Sequence, residues 1–259
     1  MIVSLRSLMR KFVLGLKSLS RPSIAYCANS ALIPSVFVRT PAPVLRELLR
    51  LPASHYETQL NQEVFALLMN RFRSGFFIEI GANDGFTLSN TVYLEEQFGW
   101  QGLLVEANPE YLESLKHRQS KSVIAAVVDQ DGYYEFCNAG LYGGVQSLLD
   151  KTHENMTHKA SSLTVWGTTL ERILKENGAP EVIDFISIDV EGAEVLIVAQ
   201  MCKMNNRRFT CGCIEYNARQ ADYDRIAHML GESGYSVVWE GQTMHDLFFI
   251  DKSTFAGSG

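Results

Sequence analysis

The chain has 259 residues, of which 46% are hydrophobic and 20% are charged, a composition that excludes intrinsic disorder and collagen-like repeats. No run of 18 or more apolar residues occurs, so no membrane-spanning helix is predicted, and the net charge of −6 argues against a surface that binds nucleic acid through its phosphates. The five cysteines form no CxxC pair and their number is odd, which favours a reducing compartment, so we expect a soluble cytoplasmic protein.

The amino-terminal segment differs from the rest of the chain in charge, because residues 1–46 contain seven basic residues and no acidic one. Within residues 1–21, apolar side chains recur every three or four positions, which predicts a basic helix with one apolar face: Ile2, Leu5, Met9, Phe12, Leu16 and Leu19. Such a helix can lie on an anionic bilayer, so we expect peripheral contact with the inner face of a membrane. The alternatives are a helix that packs on its own domain and a transit peptide.

Two units are predicted along the chain. Residues 1–74 form an amino-terminal extension, in which five of the seven prolines fall within residues 20–54 and predict an irregular connector around a short helix at 44–51. Helical spacing returns at 59–72. From residue 75 strands and helices alternate, so residues 75–259 are predicted to form the main domain.

Hydrophobic patterns and glycine stops define the elements of the main domain. The predicted strands are 76–82, 102–108, 122–128, 133–138, 162–168, 182–190, 209–217, 235–241 and 246–251, and the predicted helices are 87–99, 109–119, 169–178, 191–203 and 221–232. The last two strands are joined by about five residues, too few for a crossover, so they should pair antiparallel. We therefore predict the α/β class, with an open, mostly parallel sheet, helices on both faces and one antiparallel strand near its edge.

The ends of the first two predicted strands point to a nucleoside ligand, since ligands of such sheets bind at the carboxyl ends of the strands. Gly81 allows a tight turn, Gly85 lets the backbone approach a ligand, and the following helix offers free N–H groups. Glu106 closes the second strand, where its carboxylate can accept hydrogen bonds from both ribose hydroxyls. The alternative is a strand-end acid that caps the helix at Pro109.

At these positions the sequence resembles the FkbM-type S-adenosylmethionine-dependent methyltransferases. The matching segments are FFIEIGANDGFTLSNT (76–91), GWQGLLVEANPE (99–110), AAVVDQDGYYEF (125–136), TTLERIL (168–174) and DFISIDVEGAEVLIV (184–198). The resemblance implies a Rossmann-like, seven-stranded methyltransferase sheet and S-adenosyl-L-methionine as the cofactor. It implies that the cofactor is held at its methionine part by Glu79, Gly81, Ala82, Asn83 and Gly85, at its ribose by Glu106 with Ala107 and Asn108, and on its adenine side by Asp129. The family often has a lysine where this chain has Ser187, a departure that bears on the acceptor and not on the cofactor.

The segment IDVEGAE (188–194) supplies the predicted catalytic residues. Asp189 ends a buried strand at the cleft, where a carboxylate can orient or deprotonate an acceptor, so Asp189 is the first catalytic candidate and Glu191 the second. Glu191 and Glu194 alternatively cap the following helix. Glu215, at the end of the next strand, is expected to face the same cleft. A magnesium ion held by Asp189, Glu191 and Glu215 is an alternative, whereas the favoured interpretation has no metal.

Other side chains that carry chemistry are given structural interpretations. Cys211 and Cys213 alternate along a buried strand and are predicted to lie in the core rather than to bind zinc. An aromatic group is predicted to cover the sheet, with stacking on a sugar ring as the alternative: Tyr133, Tyr134, Phe136, Tyr142 and Trp166.

We therefore predict an S-adenosylmethionine-dependent O-methyltransferase that acts on a sugar hydroxyl of a glycan or glycolipid. A basic helix on a membrane would bring the cleft to a lipid-linked glycan. The alternatives are an O-methyltransferase of a secondary metabolite and a catalytically inactive, methyltransferase-like interaction protein at a membrane. A nicotinamide-dependent enzyme is disfavoured because the GxGxxG spacing is missing, and no nucleic-acid partner is predicted.

Overall fold

The computed structural model describes residues 41–56, 58–149, 161–240 and 243–255, so the predicted membrane helix at 1–21 lies outside the described residues. The strands found there are β1 (Phe76–Ile80), β2 (Gln101–Glu106), β3 (Lys121–Ile124), β4 (Ala126–Val127), β5 (Gly132–Asn138), β6 (Gly144–Val145), β7 (Ser161–Thr168), β8 (Val182–Ile188), β9 (Arg208–Glu215), β10 (Tyr235–Val238) and β11 (Asp246–Asp251). The helices are α1 (Ala42–Leu49), α2 (Gln62–Met69), α3 (Val92–Phe98), α4 (Leu112–Leu115), α5 (Leu170–Glu176), α6 (Glu194–Lys203), α7 (Gln220–Glu232) and α8 (Lys252–Phe255).

Seven strands form the main sheet in the order β3-β2-β1-β8-β9-β11-β10. Neighbouring strands run parallel except β11, which runs antiparallel to both β9 and β10. The prediction of a mostly parallel sheet with one antiparallel strand near its edge is therefore confirmed. The chain leaves β1 toward β2 and β3 on one side and later returns to β8 on the other, so the strand order reverses between β1 and β8. Ligands of open α/β sheets bind outside the strand ends at such a reversal.

A second sheet, with the order β4-β7-β5-β6, does not follow from the sequence pattern. The prediction of one strand over 122–128 is wrong, because β3 stays in the main sheet while β4 pairs with β7. At the break, the N–H of Ala125 donates to the carbonyl of Glu106 (2.8 Å). Phe136 and Val145 of the small sheet are buried together with Ala126.

The core of the protein lies on both faces of the main sheet. Phe77 of β1 and Phe185 of β8 pack with α1, α2 and α3, whereas Ile78 and Ile186, the next residues along these strands, pack with α5, α6 and α7. This two-sided burial explains the nearly continuous apolar sequence of the central strands. Cys211 and Cys213 are buried in the first of these clusters, as predicted.

The helices α1 and α2 precede the predicted boundary at residue 74 but share the core of the main domain. Every residue of α2 is buried, and Arg46 of α1 forms a buried ion pair with Glu63 (2.7 Å). The division into 1–74 and 75–259 stays a prediction. Among the described helices, none is long and apolar enough to cross a membrane.

Several predicted helices are shorter in the structure, among them two of the main domain that differ most from the prediction. The helix predicted at 87–99 begins only at Val92, because the carboxylate of Asp84 accepts the N–H groups of Phe86 (2.8 Å) and Thr87 (2.7 Å) and holds a loop instead. It ends as predicted at Gly99, which has φ 64°. The helix predicted at 109–119 is a 3₁₀ turn, Pro109–Tyr111, followed by the single turn of α4.

Candidate active site

Two adjoining cavities open at the carboxyl ends of the central strands. The first, which we name the Glu106 cavity, lies beside the end of β2 and is lined in part by Val105, Glu106, Ala107, Asn108, Val127 and Phe136. The second, the acidic cavity, lies beside the ends of β8 and β9 and is lined in part by Glu79, Ser89, Asp189, Glu191, Glu215 and Asp246. The two share Gly81, Asn83, Asp189 and Glu191 and are therefore parts of one cleft.

Glu106 lies at the end of β2, in the wall of the cavity named after it. Its buried carboxylate accepts hydrogen bonds from the backbone N–H groups of Asn83 (2.7 Å) and Asn108 (2.7 Å). Burial raises the pKa of Glu106, and these N–H groups oppose that shift. The turn at Pro109 is capped by Asn108, whose side-chain oxygen accepts the N–H of Glu110 (3.0 Å). The alternative role of Glu106 as this cap is therefore wrong.

Gly81 lies where the ends of two central strands, β1 and β8, come close together. Its φ is 86°, a conformation that favours glycine, and a Cβ there would lie 1.7 Å from the backbone oxygen of Asp189. Any side chain would push the ends of β1 and β8 apart. The predicted tight turn is confirmed, and the close approach that it permits is to the chain at Asp189.

Gly85 also has a positive φ, 84°, but it is not among the lining residues of either cavity. A Cβ at this position would come within 3.0 Å of Leu115 and 3.2 Å of Arg118. The space beside the glycine is therefore filled by side chains, and its approach to a ligand stays a prediction. Because α3 begins at Val92, its free N–H groups do not follow this glycine.

Glu79 is buried beneath the acidic cavity. Its carboxylate accepts hydrogen bonds from the N–H of Asn90 (2.7 Å), the hydroxyl of Thr91 (2.6 Å) and the hydroxyl of Ser89 (3.0 Å). Burial raises the pKa of Glu79, and the charge of Arg118, 4.0 Å away, opposes the shift. Glu79 therefore fixes the loop that forms one wall of the cavity.

Asp189 and Glu215 form a carboxyl pair in the acidic cavity. Asp189 is exposed and lines both cavities, and desolvation of its carboxyl group within the cleft raises its pKa well above the usual range. The hydrogen bond to Glu215 adds to the shift. Burial raises the pKa of Glu215 to about 7, although the hydrogen bond to Asp189 lowers it. The pair is therefore expected to share one proton near neutral pH.

Glu191 and Glu194, for which capping and catalysis were both open, have different roles in the structure. Glu194 accepts the N–H groups of Gly192 (3.0 Å) and Val190 (3.2 Å) and pairs with Arg219 (3.0 Å), so it holds the loop before α6 and does not cap the helix itself. Glu191 lines both cavities and accepts a hydrogen bond from the amide of Asn217 (3.3 Å). Oxygens of Asp189, Glu191 and Glu215 lie within 4.8 Å of one another, so these three residues could hold a metal ion.

Two residues of the acidic cavity were missed by the sequence reasoning. Asp246 begins β11 and lies opposite Glu215 in the strand pairing, and it is only 7% exposed. The side-chain amide of Gln62 in α2 donates to Asp246 Oδ2 (2.8 Å). Burial raises the pKa of Asp246 to about 7. The antiparallel direction of β11 is the signal that could have found it, because the first residue of that strand lies at the edge where parallel strands end.

Most of the predicted cofactor residues lie in the cleft. Ala82 and Asn83 line the acidic cavity, and Ala107 and Asn108 line the Glu106 cavity. Asp129 is exposed and lines neither, so the structure does not bring it together with the others.

The predicted aromatic cover is present only in part. Phe136 is buried, but Tyr133 is 77% exposed and Trp166 is 39% exposed, so for these two residues the prediction that they cover the sheet is wrong. Tyr142 lines the acidic cavity.

The sequence of the cleft matches a known protein family. The model of the methyltransferase FkbM domain matches residues 79–237, more than half of the chain. The chain belongs to the FkbM methyltransferase family. The resemblance noted from the sequence motifs is thereby confirmed. The span that matches the FkbM domain contains Glu79, Glu106, Asp189 and Glu215, whereas Gln62 and Asp246 lie outside it.

Solved structures also resemble this FkbM methyltransferase. A methyltransferase FkbM from Methylobacillus flagellatus KT is 13% identical, with 88% of this chain and 58% of that chain covered and a TM-score of 0.44. A precorrin-6y C5,15-methyltransferase from Geobacter metallireducens GS-15 is 14% identical, with 76% of this chain and 90% of that chain covered and a TM-score of 0.40. A putative O-methyltransferase from Klebsiella pneumoniae is 15% identical, with 83% of this chain and 94% of that chain covered and a TM-score of 0.43. No curated protein matches the chain significantly. The match to the FkbM domain, and not these structures, establishes the family.

Proposed function

We propose that this FkbM methyltransferase transfers a methyl group from S-adenosyl-L-methionine to a hydroxyl oxygen of a sugar on a glycan or glycolipid. The observation that carries the proposal is the junction of the two cavities at Gly81 and Asp189. This junction places a buried carboxylate, Glu106, on one side and a carboxyl pair, Asp189 and Glu215, on the other. One cleft thus offers a nucleoside site and a base.

The residues of the Glu106 cavity fit the adenosine part of the cofactor. Its walls carry the apolar side chains of Val105, Val127 and Phe136, which suit an aromatic base. Each oxygen of Glu106 accepts one backbone N–H and retains a lone pair, so the carboxylate can also accept hydrogen bonds from ribose hydroxyls. The conformation of Gly81 keeps the Glu106 cavity continuous with the acidic cavity.

The acidic cavity supplies the base. S-adenosylmethionine, when bound, supplies an electrophilic methyl group on a sulfonium. The carboxyl pair takes the proton of the acceptor hydroxyl on its ionised oxygen, so that the oxygen can attack as its proton leaves. Glu191 lies between the cavities and helps to orient the acceptor. Hydroxyl and amide groups around the pair, from Thr87, Ser89 and Tyr142 among others, suit an acceptor rich in hydroxyl groups.

A methyl-transfer assay tests the proposal. Purified protein is titrated with S-adenosylhomocysteine by calorimetry and is then incubated with labelled S-adenosylmethionine and cell-envelope glycans, and the products are analysed by mass spectrometry. Asp189→Asn keeps the shape of the side chain but leaves Glu215 without a carboxyl group with which to share a proton, so transfer should fall by about 100-fold or more while affinity for S-adenosylhomocysteine stays the same. Glu113→Gln, on the exposed surface of α4, is the matched control and should change neither.

Two results would contradict the proposal. If the protein does not bind S-adenosylhomocysteine, the assigned cofactor is wrong. If it binds that compound but methylates no hydroxyl, the inactive interaction protein becomes the better interpretation.

The proposal that the acceptor is linked to a lipid requires that the amino-terminal segment bind membranes. The basic, apolar-faced segment 1–21 lies outside the described residues, so this part of the proposal depends on its sequence. Each basic residue near an anionic surface contributes about 1 kcal/mol, weakened by salt. Deletion of residues 1–21 should abolish co-sedimentation with anionic liposomes and preserve cofactor binding. Full-length protein that ignores such liposomes at low salt would exclude membrane contact.

A further inference from the structure

The acidic cavity carries far more negative than positive charge. Five carboxyl side chains line it, and none of the described residues that line it is Lys, Arg or His. Arg118 lies 4.0 Å from one of them, Glu79, but is not among the lining residues. The other four carboxyl groups of the lining belong to Asp189, Glu191, Glu215 and Asp246.

Two of these carboxylates have oxygens that no N–H or hydroxyl group of the described residues satisfies. Glu215 Oε2 is one of these oxygens, and the hydrogen bond of Glu215 with Asp189 depends on the proton that the pair shares. Asp246 is more than nine-tenths buried, and within the described part of the chain its carboxylate receives one hydrogen bond, from Gln62 to Oδ2. Buried carboxylate oxygens are costly unless a donor or a cation meets them. Both side chains border the acidic cavity, so a bound molecule can supply what the protein does not.

The cofactor of the proposed function does not balance this charge. S-adenosylmethionine carries a sulfonium, an ammonium and a carboxylate, a net charge of +1. The carboxyl pair holds one proton, so Asp189, Glu215 and Asp246 together carry two negative charges once Asp246 is ionised. A further positive group in the cavity would therefore be favoured, and a phosphate or carboxylate on the acceptor would be repelled.

We propose that the acceptor is a polyol that carries a protonated amine, and that Asp246 and Glu215 bind this ammonium group beside the hydroxyl that is methylated. The inference rests on the proposed function and narrows its acceptor class. An ammonium group has three donors, which match the unsatisfied oxygens of these two carboxylates. The amide of Gln62 fixes Asp246 from the other side, so α2 takes part in acceptor selection although it lies outside the span that matches the FkbM domain.

Matched small probes test this charge preference without knowledge of the full acceptor. Glycerol, 2-amino-1,3-propanediol and glycerol 3-phosphate share a skeleton and differ in charge. Each is titrated into full-length protein, once with saturating S-adenosylhomocysteine and once without it, at pH 7.5 with a chelator, and binding is followed by ligand-observed NMR. The amine should bind at least about tenfold more tightly than glycerol, which is roughly 1.4 kcal/mol, and the phosphate should bind more weakly than glycerol.

Two variants test whether the preference for the amine over glycerol arises from Asp246 and Glu215. Asp246→Asn and Glu215→Gln should each reduce the advantage of the amine about threefold or more, whereas the exposed control Glu113→Gln should leave it unchanged. Binding of S-adenosylhomocysteine and the thermal midpoint confirm that each variant is folded. If one of the two variants does not fold, the other still provides the test.

Several outcomes would overturn the inference. Equal binding of glycerol and the amine would show that the cavity does not select a cation. An advantage that survives in both variants would arise at another site. If the selectivity appears only when Mg²⁺ replaces the chelator, the carboxylates hold a divalent cation instead. Failure to bind S-adenosylhomocysteine would contradict the proposed function alone, because the amine preference is also measured without it.

Discussion

The substitution Asp246→Asn should stabilise the protein at alkaline pH. Asp246 is 7% exposed, and the hydrogen bond that its carboxylate accepts from Gln62 can also be accepted by an asparagine oxygen. Burial raises its pKa from 3.8 to about 7, so the folded protein holds the proton more tightly than the unfolded chain. The stability associated with this proton is fully present below about pH 4 and is lost as the pH rises through about 7.

The magnitude follows from the size of the shift. One pKa unit corresponds to about 1.4 kcal/mol, so a shift of roughly three units means that the ionised carboxylate costs about 4 kcal/mol above pH 7. About 2–3 kcal/mol of this loss of unfolding free energy occurs as the pH rises from 5 to 8. Asparagine resembles the protonated acid and does not titrate. The gain in unfolding free energy from Asp246→Asn should therefore be larger at pH 8 than at pH 5 by about 2–3 kcal/mol.

Urea unfolding of the wild type, Asp246→Asn and the exposed control Glu113→Gln at pH 5, 6, 7 and 8 measures this difference. The control should follow the wild type at every pH. If Asp246→Asn also runs parallel to the wild type between pH 5 and pH 8, the carboxyl group titrates normally and is not buried as described.

Three further predictions concern the cleft. Glu106→Ala should weaken S-adenosylhomocysteine about thirty- to hundredfold, or 2–3 kcal/mol; unchanged calorimetric affinity in a folded variant would remove Glu106 from the cofactor site. The rate of methyl transfer should rise with pH through about 7, because the base must lose its proton and burial raises the pKa of Glu215 to that value; a flat pH–rate profile from 6 to 8 would exclude the carboxyl pair as the base. Arg118→Met should destabilise the fold by about 3–5 kcal/mol, since it leaves buried Glu79 and Glu95 without their basic partner; a loss below about 1 kcal/mol in urea unfolding would contradict this.

Much of the main sheet could be predicted because its strands combine short apolar runs with clear stops. For example, the apolar pattern predicted a strand at 182–190, and the observed strand β8 begins at the predicted residue and ends two residues earlier. The small sheet could not be predicted in the same way. Its strands β4 and β6 have two residues each, too few for any periodicity, and an apolar run cannot show which of two sheets it joins.

The cofactor side of the cleft was easier to predict than the acceptor side. Glu106 follows a strand next to the glycine turn, so spacing along the chain brings both to one place. The acidic cavity depends on contacts that spacing does not encode: Gln62 and Asp246 are 184 positions apart and meet because α2 packs on the sheet and β11 runs antiparallel. At Gly85 the local glycine pattern likewise did not show that the side chains of Leu115 and Arg118 pack beside it.

Asp246 links the stability of the fold to the charge of the acceptor. Folding alone would favour a neutral residue at this position, because the buried carboxylate destabilises the protein as the pH rises. A bound ammonium group would reverse this effect, since it favours the ionised form that burial opposes. Affinity for an amine should therefore increase from pH 6 to pH 8, while affinity for glycerol should not. Asp246→Asn should be more stable than the wild type at pH 8 and yet bind the amine less well, and only a carboxylate retained for its ligand predicts both results together.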